Sequence, residues 1–320
     1  MWPVSAWRDD DSGTSPTTRR AVLGVGASLG ASALAGCVAT GSGPRVAVLS
    51  AGSLAVLFNE SVGPAFEDAT GYTYRGEFHG SNAVMRMVLE EQKQPDVVVS
   101  ADAYLLRDAL QPDVATWDVV FASNAVVVVY NPDTAVGARL DAGEPWYEVL
   151  RTAEADIARS DPDLDPLGYR TVQLFELAER YYDEPGLAAA LREKLVVDPQ
   201  EAHLLAAVET GDRAAAVAYK NMAVGHGLPY RSLPPALNFA DPTEAETYAS
   251  ATYTTENGTT IEGTPVLYNA TVPTDADRPE AGRAFVRFVL ENPGLLRENG
   301  LVVTDGFPRP HGDVPQGVLA

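Results

Sequence analysis

The chain has 320 residues, 46% of them hydrophobic, which allows a sizeable core and about two domains and excludes a disordered acidic polymer. Its 44 Asp and Glu against 23 Lys and Arg give a formal net charge of -21, which excludes a nucleic-acid partner, since phosphate backbones need a basic footprint. The single cysteine, Cys37, excludes an internal disulfide or a multi-cysteine metal centre, and His79, His203, His226 and His311 show no metal-ligand spacing. With Lys93, Lys194 and Lys220 as the only lysines, the acidic surplus reads as a halophilic, salt-adapted surface kept soluble by self-repulsion.

The N-terminus reads as an address. Thr17-Thr18-Arg19-Arg20 precedes an uncharged run over 21–36, which is too short and too rich in Ala and Gly for a membrane span. A twin arginine before a short apolar stretch resembles a twin-arginine export signal, and Leu34-Ala35-Gly36-Cys37 resembles a lipobox, whose cysteine carries the lipid. Residues 1–36 are therefore expected to be a lipoprotein signal and 37–44 a Gly/Ser/Thr tether. The expected location is the outer face of the cell membrane, held by lipid on Cys37. One acyl chain binds a membrane only marginally, so the anchor needs reinforcement.

From Arg45 strands and helices alternate. Val46-Ala47-Val48-Leu49 is a buried-type strand and Ser50-Ala51-Gly52-Ser53 a turn; a helix follows, with Leu54, Leu57, Phe58 and Phe66 on one face and Gly71 closing it. The next unit repeats this, with a strand over 73–78, the turn His79-Gly80-Ser81 and a helix through Val84, Met87 and Val88. Residues 95–100 form a third strand, and Asp102 or Ala103 opens another helix. Such alternation predicts a parallel α/β sheet covered on both faces, with ligands bound where strands end and helices begin. Gly52-Ser53 and Gly80-Ser81 occupy equivalent strand-to-helix turns. Each serine reads as a helix cap worth about 1 kcal/mol, and together they read as a neutral anion cradle. No Walker, GxGxxG or GxSxG motif accompanies them.

An apolar run over 118–130, broken at Ser123-Asn124, reads as a crossing into a second lobe. There the pattern predicts a helix over 145–150, a strand at Ile157-Ala158, helices over 172–182 and 186–195, a helix over 201–210 and a strand over 215–219. Adjacent Tyr181-Tyr182, a pair that suits a ferric-ion binder, falls in a helix and reads as packing. A hairpin at Glu256-Asn257-Gly258 precedes a second crossing over 265–272, and helices over 279–290 and 293–299 end the fold. The expected layout is 45–125 plus 266–320 as lobe 1 and 126–265 as lobe 2, with two crossing strands as the hinge and a cleft between the lobes.

The densest local pattern is Ser160-Asp161-Pro162-Asp163-Leu164-Asp165-Pro166-Leu167-Gly168-Tyr169-Arg170. Alternating Asp161, Asp163 and Asp165 suggest a calcium loop, but position six is Pro166, where glycine is required, and position twelve is Val172, where glutamate is.

These segments carry a family resemblance. Ala51-Gly52-Ser53-Leu54, Gly80-Ser81, Asp96-Val97-Val98-Val99-Ser100-Ala101-Asp102, Asp165-Pro166-Leu167-Gly168-Tyr169-Arg170, Tyr219-Lys220 and Gly263-Thr264-Pro265-Val266-Leu267-Tyr268 resemble the archaeal molybdate/tungstate-binding components of ABC transporters. The resemblance runs from Arg45 to Pro310, and the Asp-Pro-x-Gly-Tyr-Arg stretch is its most specific part. It implies a two-lobed fold of the type II periplasmic-binding-protein kind, no enzymatic activity, no cofactor beyond the ligand, and a permease with its ATPase as partners. A monomer is expected. By the resemblance the oxyanion is held by Gly52, Ser53, Ser81, Asp165 with the Pro166-Leu167 backbone, Glu201 and Tyr219. Two departures stand out: a short segment between Arg170 and Glu201, and Asn221 where serine is common.

Carboxylates facing a dianion oppose Coulomb's law, since like charges at about 4 Å cost about 4 kcal/mol at an effective dielectric near 20. Either a carboxyl is protonated and donates, or its oxygens bind the central metal. The resemblance implies the second, with Asp165 and Glu201 on Mo or W. Without it, Asp165 reads as a turn cap, Glu201 as a first-turn carboxylate and Tyr219 as a core tyrosine. Arg170 is expected to neutralise the acidic loop, with Asp161 and Asp163 as solvated surface. The alternatives are a sulfate or phosphate binder, or a surface α/β hydrolase, for which no nucleophile-base pair is evident. Asn59, Asn257 and Asn269 begin glycosylation sequons.

Overall fold

The structure, a computed structural model, describes residues 44–199 and 201–319; the twin arginine, the apolar run and Cys37 lie outside the described residues. The chain forms β1 (Arg45–Ala51), β2 (Thr73–His79), β3 (Val97–Ser100) and β4 (Trp117–Ser123), then passes to a second sheet through Asn124 and Ala125. That sheet takes β5 (Val126–Tyr130), β6 (Ile157–Ser160), β7 (Val196–Asp198), β8 (Ala215–Tyr219) and β9 (Tyr230–Ser232). A hairpin, β10 (Thr252–Thr254) with β11 (Thr260–Glu262), precedes the return, and β12 (Leu267–Thr271) and β13 (Arg309–Gly312) rejoin the first sheet.

The first sheet runs β13-β4-β12-β3-β1-β2 and the second β7-β6-β8-β5-β9, so the molecule is a two-lobed α/β binding-protein fold. The expectation of a parallel sheet holds for β1, β2 and β3. It fails at β12, which arrives from the other lobe and pairs antiparallel with both β3 and β4. The run over 118–130 is two strands in two sheets, and its polar break is the crossing itself.

Burial explains why these segments form. β3 is buried at all four positions, as a strand covered on both faces must be. Helix Pro279–Glu291 closes the back of lobe 1 with Phe285, whose ring meets those of Phe58, Phe66 and Tyr74 at 5.6, 5.2 and 5.6 Å. In lobe 2 the helix expected to start at Val172 starts at Pro166 and runs to Tyr182. Proline suits the first helical position, and Asp165 caps it by accepting the Gly168 N–H at 2.8 Å. The 160–170 stretch is thus a short loop followed by a helix N-terminus. Of the adjacent tyrosines, Tyr181 is exposed, while Tyr182 stacks on Tyr147 at 4.2 Å and accepts from Trp146.

Two further expectations are corrected. Asp163 is no freely solvated carboxylate: it accepts from the Tyr253 hydroxyl and the Glu256 N–H and ties down the hairpin. Asn269 is fully buried on β12 and donates to Asp118, so its sequon is sealed inside the sheet, whereas Asn59 and Asn257 are exposed.

Candidate functional site

Four strand ends deliver the site. β1 ends at Ala51, and the 3-10 turn Gly52–Leu54 starts there with Gly52 and Ser53 buried. Its first N–H groups have no partner within the turn. β2 ends at His79, and helix Ser81–Leu89 begins with Ser81 fully buried. From lobe 2, β6 leads to Asp165 and its helix, and β8 ends at Tyr219. The 3-10 turn Glu201–His203 packs against the Gly52–Leu54 turn and β2.

The lobes meet closely here. A Cβ on Gly80 would lie 2.3 Å from the Leu164 carbonyl oxygen and 2.6 Å from the Asp165 Cβ, so the approach requires glycine. The Ala83 N–H donates to the Leu164 carbonyl and the Asn82 amide to the Asp163 carbonyl, both across the cleft.

Three hydroxyls in this region share one feature: each accepts a hydrogen bond from the protein. Ser81 Oγ accepts from the Ala101 N–H at 3.1 Å, Ser53 Oγ from the Tyr268 hydroxyl at 3.0 Å, and Tyr219 Oη from Arg170 at 3.0 Å. A hydroxyl that accepts keeps its own proton to donate. The expected residues Gly52, Ser53, Ser81, Asp165, Pro166, Leu167, Glu201 and Tyr219 are all buried, on elements that converge on one region.

The two carboxyl groups are the anomaly. Asp165 is 0% and Glu201 1% exposed, and Asp165 Oδ2 and both Glu201 oxygens have no hydrogen-bond partner. Burial raises the Asp165 pKa well above the usual carboxylate range, and the neighbouring Glu201 charge adds to the rise. Burial likewise pushes Glu201 up to about 7, while the Ser53 N–H and hydroxyl, the Gly52 N–H and the Arg170 charge pull it back down. Those donors are near enough to act on Glu201 electrostatically, but they leave its oxygens without a bond of proper hydrogen-bond geometry. Burial also raises the Tyr219 hydroxyl pKa, which keeps it protonated as a donor.

Arg170 departs from expectation. It is fully buried and reaches across the cleft to Asp102 at 2.6 Å instead of neutralising Asp161 or Asp163. Asp102 also accepts the Tyr169 hydroxyl at 2.8 Å, so Tyr169-Arg170 in one lobe and Asp102 in the other are a matched set. The sequence contains both segments, but nothing in either shows that they pair. Behind Ser53 stand Asn124, Asn221 and Tyr268, to which residue order assigns no role in the site; the polar break Ser123-Asn124 in the apolar crossing is the available signal.

Two α/β lobes closing on a buried polar site define a two-lobed solute-binding protein. The chain belongs to the bacterial extracellular solute-binding protein family, whose profile matches residues 46–301. It is 48% identical over 309 residues to an uncharacterised solute-binding protein of Halobacterium salinarum, covering 96% of this chain and 99% of that one. A Haloferax volcanii protein provisionally named an ABC transporter molybdenum-binding protein is 39% identical over 310 residues, covering 95% and 98%. The molybdate/tungstate-binding protein of Pyrococcus abyssi is 29% identical over 286 residues, covering 80% and 83%. Among solved structures, the periplasmic molybdate-binding protein of Azotobacter vinelandii has the same fold, with a TM-score of 0.58 at 13% identity over 82% of this chain and 100% of that one. Among the described residues no helix is long and apolar enough to cross a membrane.

Proposed function

We propose that the protein is the solute-binding component of an ABC importer, tethered by lipid on Cys37, that closes on molybdate or tungstate and passes it to a permease and its ATPase. The observation that carries the ligand reading is the set of three buried, unpartnered carboxylate oxygens on Asp165 and Glu201 beside N–H and hydroxyl donors. The oxyanion's oxygens would take the Ser53, Ser81 and Tyr219 hydroxyls and the Gly52, Ser53 and Leu167 N–H groups. Carboxylates beside a dianion are repulsive unless they approach a positive centre. Mo(VI) and W(VI) are hard centres that accept oxygen ligands and can widen from four to six neighbours, which sulfur and phosphorus in their oxyanions do not. Asp165 and Glu201 would then reject sulfate, abundant in saline water, while adding ligands to molybdate or tungstate.

The test is a calorimetric and thermal-shift panel of tungstate, molybdate, sulfate and phosphate. Micromolar tungstate should raise the unfolding temperature while sulfate at the same concentration does not. Sulfate binding as tight as tungstate would sink the reading. The same orphan oxygens also favour one second reading, a phosphate that retains a proton and donates it to them; tight phosphate binding that strengthens at lower pH would select it. The tether is tested by fractionation, where Cys37→Ser should move the protein from membrane to medium.

A further inference from the structure

Behind Ser53 lies a chain of buried side chains whose hydrogen-bond directions are dictated by chemistry. Asn124 stands at the first crossing, Tyr268 on β12 after the second, and Asn221 in the short helix Lys220–Gly225 of lobe 2. Their exposures are 0%, 0% and 3%, so water does not compete for these groups. The Ala125 N–H lies 2.8 Å from Asn124 and can only donate, so the Asn124 oxygen must face it. The Asn124 NH2 therefore points the other way, toward Asn221 at 2.6 Å and the Tyr268 hydroxyl at 3.2 Å. An independent constraint agrees. The Ser53 carbonyl can only accept, so the Asn221 NH2 faces it at 2.7 Å and the Asn221 oxygen is left for Asn124.

Tyr268 then has one arrangement that satisfies both neighbours. It accepts from Asn124 and gives its proton to Ser53 Oγ at 3.0 Å. Ser53 accepts there, so its own proton is left to be donated outside the network. The chain also joins the lobes, because Asn221 of lobe 2 holds the backbone of a lobe 1 turn.

We infer that Asn124 and Tyr268 are positioning residues that fix the Ser53 hydroxyl as a hydrogen-bond donor to the bound oxyanion, with Asn221 holding the Ser53 backbone beside it. This rests on the oxyanion reading of the Ser53 turn. A donor fixed in advance loses no rotational freedom on binding and cannot turn its lone pairs toward a ligand oxygen.

A double-mutant cycle read by calorimetry with sodium tungstate tests this, because it separates action through Ser53 from general support of the fold. Tyr268→Phe should weaken tungstate binding about tenfold in the parent protein and less than about twofold in a Ser53→Ala background. Asn124→Asp is the second variant and carries the test if the phenylalanine variant misfolds. A carboxylate at 124 offers only acceptors: it takes the Tyr268 proton, and the Asn221 amide must turn its NH2 from the Ser53 carbonyl to meet it, so Ser53 donates to Tyr268 and its proton turns away from the ligand. Its loss should be at least that of Ser53→Ala, and most of it should disappear in a Ser53→Ala background. Equal losses with and without the Ser53 hydroxyl, or no loss in either background, would overturn the inference while leaving the oxyanion reading intact. A parent protein that binds none of tungstate, molybdate, sulfate or phosphate defeats the oxyanion reading and this inference with it.

Discussion

Asp118 and Glu201 are buried to the same degree, at 0% and 1% exposure, yet their oxygens meet opposite surroundings. Asp118 accepts from Arg107 at 2.8 and 2.9 Å, from Gln111 at 3.0 Å and from Asn269 at 3.0 Å. Asp102 and Asp96 are treated the same way, the first by two helix N–H groups, Tyr169 and Arg170, the second by the Ala47 and Arg278 N–H groups. Glu201 and Asp165 are left with three oxygens unmatched. A fold that saturates three buried carboxylates and leaves two unsaturated in the cleft is not short of donors. Unmatched buried polar groups cost free energy, so they persist where another role requires them.

Removing one carboxylate of each kind should have opposite consequences. Asp118→Ala leaves the Arg107 guanidinium without its ion-pair partner and Asn269 without an acceptor, and should destabilise the protein by about 3–5 kcal/mol in urea unfolding. Glu201→Gln removes no hydrogen bond, so the ligand-free protein should keep its stability or gain some. The same substitution should weaken tungstate binding by about 2–3 kcal/mol while easing the repulsion of sulfate. Parallel losses for both anions would mean that Glu201 does not approach the metal centre.

The unmatched carboxylates also tie stability to pH. Folding raises the Glu201 pKa from 4.5 to about 7, so the folded state holds this proton more tightly than the unfolded chain. The stabilising contribution is therefore full below about pH 4.5 and is lost as pH rises to about 7, a slope that thermal unfolding of the ligand-free protein should show and Glu201→Gln should flatten. Asp165, raised for the same reason of burial, acts in the same direction. Tungstate binding below pH 7 should release protons if the carboxylates bind the metal, measured as buffer-dependent heats. The smallest effect belongs to the lobe contact. Gly80→Ala pushes a methyl into the Leu164 carbonyl, and tungstate affinity should fall by about 1 kcal/mol with little change in the unfolding temperature of the ligand-free protein.

Much of this was legible in residue order. Strand-helix alternation from Arg45, the polar break at Ser123-Asn124 and the hairpin at Asn257-Gly258 each follow from local periodicity and turn chemistry, and each is found. The start of the helix at Pro166 is hidden in the sequence because proline and three aspartates over 160–165 look like loop from composition alone, although proline is also a favoured first helical residue. The roles of Asp163 and Arg170 are hidden for a different reason. Their partners, Tyr253 and Asp102, lie 90 and 68 residues away, and no local rule specifies such a pairing.

Residue order alone carries the class: two α/β lobes, two Gly-Ser turns at strand ends, and an acidic loop ahead of a helix. Only the tertiary structure decided which carboxylates are matched and which are left open. A carboxylate's state depends on donors delivered from distant strands, and the position of Asp118, Asp102 or Glu201 in the chain carries no record of which donors arrive.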